Sequence, residues 1–74
     1  MTEKAHKLLL ELYKHPNADD SVEYLYSTDA TEKMAELEAL QELQDLGYII
    51  KKAAAIGFMI VSITPSGRFA TEQL

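Results

Sequence analysis

The sequence contains no cysteine, only two prolines and three glycines, and no long hydrophobic run. Without cysteine, the chain has no disulfide, no thiolate nucleophile and no cysteine-ligated metal. The scarcity of proline and glycine predicts that helices and strands make up most of the chain. The longest largely apolar stretch, residues 53–63, is far shorter than the roughly 20 residues that span a bilayer. The first residues also lack the apolar region of a signal peptide, so we expect a cytoplasmic protein with no membrane partner.

The chain is short but has the composition of a folded domain. It has 74 residues, of which 47% are hydrophobic and 26% are charged, so we predict a single domain, residues 1–74, with a thin core. A domain of this size has little room for a deep pocket. His6 and His15 have no second ligand at metal-binding spacing, and the chain contains no recognisable catalytic triad or phosphate-binding loop. We therefore predict no enzyme activity, no metal or other cofactor, and no small-molecule substrate.

The first helix is indicated by a single apolar face near the N-terminus. Thr2 is a suitable N-cap, and apolar residues then recur at helical spacing as far as Tyr13. A residue that precedes proline is disfavoured in the α-helical region, so the pair His15-Pro16 should end this helix near Lys14.

A second, longer helix is predicted between Asp29 and Gly47. Asp29 and Glu32 have the spacing of a capping box, and Gly47 is suited to the C-terminal stop because glycine tolerates a positive φ. The residues predicted for its buried stripe are Ala35, Leu37, Ala39, Leu40, Leu43 and Leu46. The side chains predicted to face outward are Glu38, Gln41, Glu42 and Asp45.

The segment between these two helices is compatible with two structures. Val22, Tyr24 and Tyr26 occupy alternate positions, as in a short strand of β-forming residues. Asp20 and Glu23 also have the spacing of an N-cap, which slightly favours a short helix over residues 21–27.

The C-terminal third of the chain predicts a hairpin followed by a short helix. Residues 48–52 and 58–63 are rich in β-branched and aromatic residues, and the segment that joins them carries Gly57, as in an antiparallel hairpin. Thr64-Pro65 is a suitable N-cap followed by proline at the first helical position, and this last helix is predicted to run through Phe69.

The negative charge of the chain is concentrated in the longer predicted helix. The net charge of the whole chain is −5. Residues 29–45 contain six carboxylates and a single lysine, so this segment carries the entire imbalance and the rest of the chain sums to zero. Contacts from Lys and Arg to phosphate supply most non-specific affinity for DNA, so the charge of this helix opposes an approach to DNA.

Two short motifs carry a family resemblance. Residues 43–49 have the pattern Leu-x-x-Leu-Gly-Tyr-Ile, and residues 63–67 have the sequence Ile-Thr-Pro-Ser-Gly. Together with the element order, they resemble the end of the recognition helix and the exit of the wing in the winged helix-turn-helix superfamily, of the small bacterial or phage regulator type. The resemblance implies a winged-helix-like α+β fold, with a three-helix core, a two- or three-stranded β-hairpin wing and a short C-terminal helix.

The resemblance also implies a surface that reads DNA. In that family the long helix enters the major groove and the wing contacts the DNA beside it. The residues that it places at the reading surface are Thr31, Glu32, Lys33 and Glu36, and those on the wing are Lys51 and Lys52. Neighbouring residues of a strand point to opposite faces, so we expect only one of the two wing lysines to face a given partner.

Two functions from different classes are compatible with these observations. The first is a non-enzymatic regulatory module that binds a protein partner or forms a homodimer, with an interface that comprises Glu36, Glu38, Glu42, Asp45, Ile56 and Phe58. The alternative is a DNA-binding transcriptional regulator whose DNA contacts are Thr31, Lys33, Lys51 and Lys52. We place protein binding first because the hairpin tip is uncharged and largely apolar while the long helix is acidic. An acidic protein that mimics DNA is a third hypothesis.

Overall fold

The computed structural model describes residues 1–73, which form three helices and three strands. In chain order the elements are α1 (Glu3–Lys14), β1 (Val22–Leu25), α2 (Ala30–Asp45), β2 (Ile49–Ala54), β3 (Phe58–Ile63) and α3 (Pro65–Glu72). The strands form one antiparallel sheet in the order β1-β3-β2. The predicted α+β class is therefore confirmed.

The first and last helices begin at the caps that the sequence predicted. The Thr2 hydroxyl accepts a hydrogen bond from the backbone N–H of Ala5 at the start of α1. The Thr64 hydroxyl accepts one from the backbone N–H of Gly67 at the start of α3. These bonds satisfy N–H groups that have no partner within a helix. α1 has the predicted bounds, whereas α3 continues beyond its predicted end as far as Glu72.

The start and the stop of α2 are also the predicted ones. The Asp29 carboxylate accepts a hydrogen bond from the backbone N–H of Glu32 at 3.0 Å, and Gly47 follows the helix with a φ of +77°. The reciprocal half of the capping box does not form. Instead, the Glu32 carboxylate accepts a hydrogen bond from the hydroxyl of Ser27 at 2.9 Å.

Part of the predicted buried stripe of α2 is exposed. Leu40 and Leu43 are completely buried, whereas Ala35 is exposed and Leu46 is 45% exposed. Leu46 lies beyond the last residue of α2, and the buried face includes Glu36 rather than Ala35. The apolar face of α2 is therefore shorter than predicted.

The prediction of a short helix over residues 21–27 is wrong, because this segment contains β1. β1 pairs with β3, with Val22 opposite Val61 and Tyr24 opposite Met59. The four residues gain a hydrogen-bonded ladder and packing across the strands, which outweigh what a single isolated helical turn provides. Residues 1–73 thus contain two helices before the hairpin and one after it, instead of a three-helix core and a separate C-terminal helix.

β2 and β3 form the predicted hairpin. β2 extends to Ala54, two residues beyond its predicted end. A β-bulge interrupts the register between Lys51 and Ala53 and leaves Lys52 as the extra residue. β2 is an edge strand, and a bulge with lysines is a common way to protect such an edge from pairing with another chain.

The core lies between α1, α2 and the inner face of the sheet. Its completely buried large side chains are Leu9, Leu40, Leu43 and Val61. α3 covers the end of the core next to the start of β2. A Cβ atom at position 67 would clash with the carbonyl oxygen of Tyr48. Glycine at this position therefore allows α3 to pack closely against the backbone of Tyr48.

The C-terminal stop of α2 can be tested with a pair of glycine variants. Gly47→Ala should lower the free energy of unfolding by about 1 kcal/mol, because alanine is disfavoured at positive φ. Gly57→Ala is the matched control, since φ is not positive there and a Cβ would meet no atom within 4 Å. We expect this control to change stability by less than about 0.5 kcal/mol in urea denaturation. A Gly47→Ala variant as stable as the wild type would contradict this helix end.

Candidate functional site

A groove of about 460 Å³ lies between α2 and the β2–β3 hairpin, and we call it the α2–hairpin groove. α2 contributes Lys33, Leu37, Gln41 and Gln44, which share one helical face because they are spaced three or four residues apart. Leu37 packs against the core, and with Met59 of β3 it gives the groove an apolar floor.

The hairpin forms the opposite wall of the groove through Lys51, Ala54 and Ala55. Lys52 does not line the groove, and its ammonium group lies 3.9 Å from the carboxylate of Asp20. The structure therefore separates the two neighbouring lysines, with Lys51 in the groove and Lys52, the extra residue of the bulge, outside it. Only Lys51 lies in the same groove as Lys33.

Lys33 joins the start of α2 to the tip of the hairpin. Its Nζ donates a hydrogen bond to the carbonyl oxygen of Ile56 at 2.9 Å and lies 5.4 Å from the centroid of the Tyr26 ring. A cation at this distance over an aromatic ring is attracted to the ring face. An ammonium group has three donors, so the bond to Ile56 leaves donors for another acceptor. Thr31, in the first turn of the same helix, is exposed and does not line the groove.

The groove differs in charge from the rest of the chain. Its lining residues include two lysines and no carboxylate, although the chain has 12 acidic residues and only seven basic ones. Within residues 1–73, the ion pairs that form at 4 Å or less involve other cations, so neither Lys33 nor Lys51 has a carboxylate partner. The groove is therefore a positively charged region of an acidic protein.

Exposed apolar residues lie at the end of the sheet next to the groove. Ile56 is 89% exposed and Leu25 is 65% exposed. Phe58 is half-buried and lies opposite Leu25 in the β1–β3 register. Ile56 lines the groove, whereas Phe58 is on the other face of the sheet because its neighbour Met59 faces the groove. We call Leu25, Ile56 and Phe58 the apolar tip.

Glu36 is buried, so the prediction that it contacts a partner or DNA is wrong. It is 6% exposed, and its carboxylate accepts hydrogen bonds from the backbone N–H of Ser27 at 2.8 Å and from the hydroxyl of Tyr24. The sequence contained a signal for this position. Glu36 precedes Leu40 and Leu43 by four and seven residues, which places all three on one helical face.

The other three predicted acidic residues do not form one continuous free surface. The Glu42 carboxylate accepts a hydrogen bond from the backbone N–H of Thr2 at 2.8 Å, which ties α2 to the N-terminus. The Asp45 carboxylate accepts one from the side-chain amide of Gln41 at 2.9 Å. Glu38 is exposed. Two of the three carboxylates are therefore engaged within the chain.

A second hollow, of about 620 Å³, was not predicted from the sequence. It lies between Met1, Tyr48 and α3, and Phe69, which is 64% exposed, lines it. Its lining includes no charged side chain and none of the predicted site residues. The α2–hairpin groove, which unites Lys33, Lys51 and Ile56, is therefore the candidate functional site.

No similar protein is found that would assign a role to the groove. Comparison with protein-family models, with curated proteins and with solved structures finds no match to this chain. In the part of the chain that the structure describes, no three His, Asp or Glu side chains come together as metal ligands. No helix among residues 1–73 has both the length and the apolar character needed to cross a membrane.

The contact between Tyr24 and Glu36 has a consequence for pH dependence. Burial and the hydrogen bond to Glu36 raise the pKa of the Tyr24 hydroxyl above its ordinary value of 10.0. The folded chain therefore keeps a proton that the unfolded chain loses above pH 10. The contribution of this group to the free energy of unfolding is fully present below about pH 10 and decreases as the pH rises toward the folded-state pKa.

Replacing Glu36 by Gln removes the negative charge beside Tyr24, so the pKa of Tyr24 should fall partway toward 10. At neutral pH the same change should lower the free energy of unfolding by about 1 kcal/mol, because charge-assisted hydrogen bonds become neutral ones. The Tyr24 ring resonances in an NMR pH titration and urea denaturation measure the two effects. Glu38→Gln, on the exposed side of the same helix, is the control and should show neither. An unchanged Tyr24 titration in Glu36→Gln would refute the contact.

Proposed function

We propose that this protein is a non-enzymatic regulatory module that binds another protein or a second copy of itself. The observation that carries the proposal is the apolar tip, where Leu25 and Ile56 are 65% and 89% exposed. Large aliphatic side chains grouped at one end of a small domain lose contact with water when a partner covers them, and such groups mark interaction sites. The adjacent groove enlarges the surface that a partner contacts.

A winged-helix-like scaffold is part of this proposal. It is supported by the order around the hairpin, in which α2 ends at Gly47, the hairpin follows, and Thr64 opens α3. A helix-turn-helix unit also needs two helices joined by a short turn. Within residues 1–73, β1 lies between α1 and α2, so support for the scaffold is limited to the hairpin and the helices that flank it.

DNA binding is a second candidate function, and one observation favours it. Lys33 and Lys51 line the same groove, and its described lining residues include no carboxylate, as expected for contacts to phosphate. Against this, a duplex that follows α2 would also pass the exposed Glu32 and Glu38. We therefore place protein binding first.

The protein-binding function can be tested by site-specific photo-crosslinking in cells that express the chain. A photo-reactive amino acid at position 56 should form a discrete adduct with one protein, either a partner or a second copy, because this side chain lies in the apolar tip. The same amino acid at Lys7, which is exposed on the outer side of α1, is the control and should not form that adduct. Absence of an adduct specific to position 56 would refute the proposed function.

If the adduct is a homodimer, sedimentation at tens of micromolar should show a dimer of the purified protein. Ile56→Lys should shift this equilibrium toward monomer, because it places a charge in the interface. An unchanged equilibrium would exclude position 56 from the dimer contact.

The DNA-binding candidate can be tested by titrating short duplexes of varied sequence at about 150 mM salt. We expect binding no tighter than about 10⁻⁴ M, the weak end of the non-specific range. Sub-micromolar, sequence-dependent binding that Lys51→Ala weakens more than Lys52→Ala would place the DNA-binding function first.

A further inference from the structure

The α2–hairpin groove has a charge that the composition of the chain does not predict. Acidic residues outnumber basic ones by 12 to seven, yet among residues 1–73 the groove is lined by two lysines and by no carboxylate. The ammonium groups of Lys33 and Lys51 have no ion-pair partner within the described chain. An occupant that supplies carboxylates would complete these pairs, so charge complementarity favours an acidic ligand.

The floor and the size of the groove restrict this ligand further. Leu37 and Met59 give an apolar floor, and the neutral amides of Gln41 and Gln44 lie along the α2 wall. A volume of about 460 Å³ is at the lower end of the range for sites that hold drug-sized molecules. It accommodates a few side chains of a peptide. The exposed Ile56 extends the apolar surface past the edge of the groove.

A short peptide fits these features better than a nucleic acid does. A continuous polyanion along α2 would approach Glu32, Glu38 and Asp45, which are exposed outside the groove. A short segment can place its carboxylates at Lys33 and Lys51 without contact with those residues. Its apolar side chains would then cover the floor and Ile56, the one residue of the apolar tip that lines the groove.

We propose that the α2–hairpin groove binds a short segment of a partner protein in which acidic residues alternate with apolar ones. The ammonium group of Lys51, which makes no side-chain hydrogen bond or ion pair within residues 1–73, acts as the main charge contact. Lys33 acts as a second contact that the bond to Ile56 holds in place. This inference rests on the proposed function and specifies the chemistry of the partner.

The test uses the purified full chain and two labelled synthetic peptides. One peptide alternates glutamate with leucine and serine, and the other has lysine in place of every glutamate. At about 150 mM salt, the acidic peptide should bind at least about tenfold more tightly than the lysine peptide. In NMR titrations, it should shift the backbone amide signals of Lys33, Lys51 and Ile56 more than those of α1.

Lys51→Glu and Lys52→Glu provide a matched pair, because they make the same charge change at neighbouring positions on different sides of the strand. Lys51→Glu should weaken binding of the acidic peptide about tenfold, and Lys52→Glu should weaken it less than about twofold. Urea denaturation of both variants verifies that they are folded. Equal effects of the two variants, or equal binding of the two peptides, would overturn the inference.

The remaining outcomes separate this inference from the proposed function. Displacement of the acidic peptide by a short DNA duplex, in a manner that depends on Lys51, would assign the groove to nucleic acid and overturn the inference. A protein adduct at position 56 that forms equally well in Lys51→Glu would leave the proposed function intact and refute the role of the groove. Tight, Lys51-dependent binding of the acidic peptide without any protein adduct would support the chemistry of the groove and refute the proposed function.

Discussion

The antiparallel pairing of β1 with β3 positions most of the features that surround the candidate site. It places Tyr24 opposite Met59, on the face of the sheet that α2 packs against. There the Tyr24 hydroxyl meets Glu36, and the chain that leaves β1 brings Ser27 to the same carboxylate. The next aromatic residue, Tyr26, donates its backbone N–H to the carbonyl oxygen of Gly57 and lies under Lys33. One short strand thus determines the position of the buried Glu36 carboxylate and of one end of the groove.

The helices could be predicted from the sequence because their ends depend on local interactions. Asp29 and Thr64 each accept a hydrogen bond from an N–H three residues further along the chain. Gly47 ends α2 because glycine tolerates the positive φ found there. β1 could not be predicted in the same way. Its stability comes from β3, and Val22 pairs with Val61, so the deciding interaction lies far outside any local window. The weak capping pattern at residues 20–23 was therefore a poor guide.

The candidate site was predictable only in part for the same reason. The alternation of strand residues predicted that Lys51 and Lys52 do not share a face, and the structure places only Lys51 in the groove. Helical spacing also placed Glu36 on the buried face, a signal that the acidic pattern of α2 concealed. The bond between Lys33 and Ile56 joins residues 23 positions apart and depends on how α2 lies against the hairpin. No periodicity in the sequence encodes how α2 packs against the hairpin.

The net charge of this chain is a poor description of its surface, because many of its carboxylates are engaged within the protein. Asp29 caps α2, Glu36 is buried against Tyr24, and Glu42 holds the N-terminus. Each of these carboxylates contributes to the total of −5, but its lone pairs are at least partly occupied by donors of the same chain. Lys51 contributes the opposite sign, and its ammonium group has no such partner among residues 1–73. For an acidic domain of this size, the cations without partners therefore indicate the binding chemistry better than the total charge does.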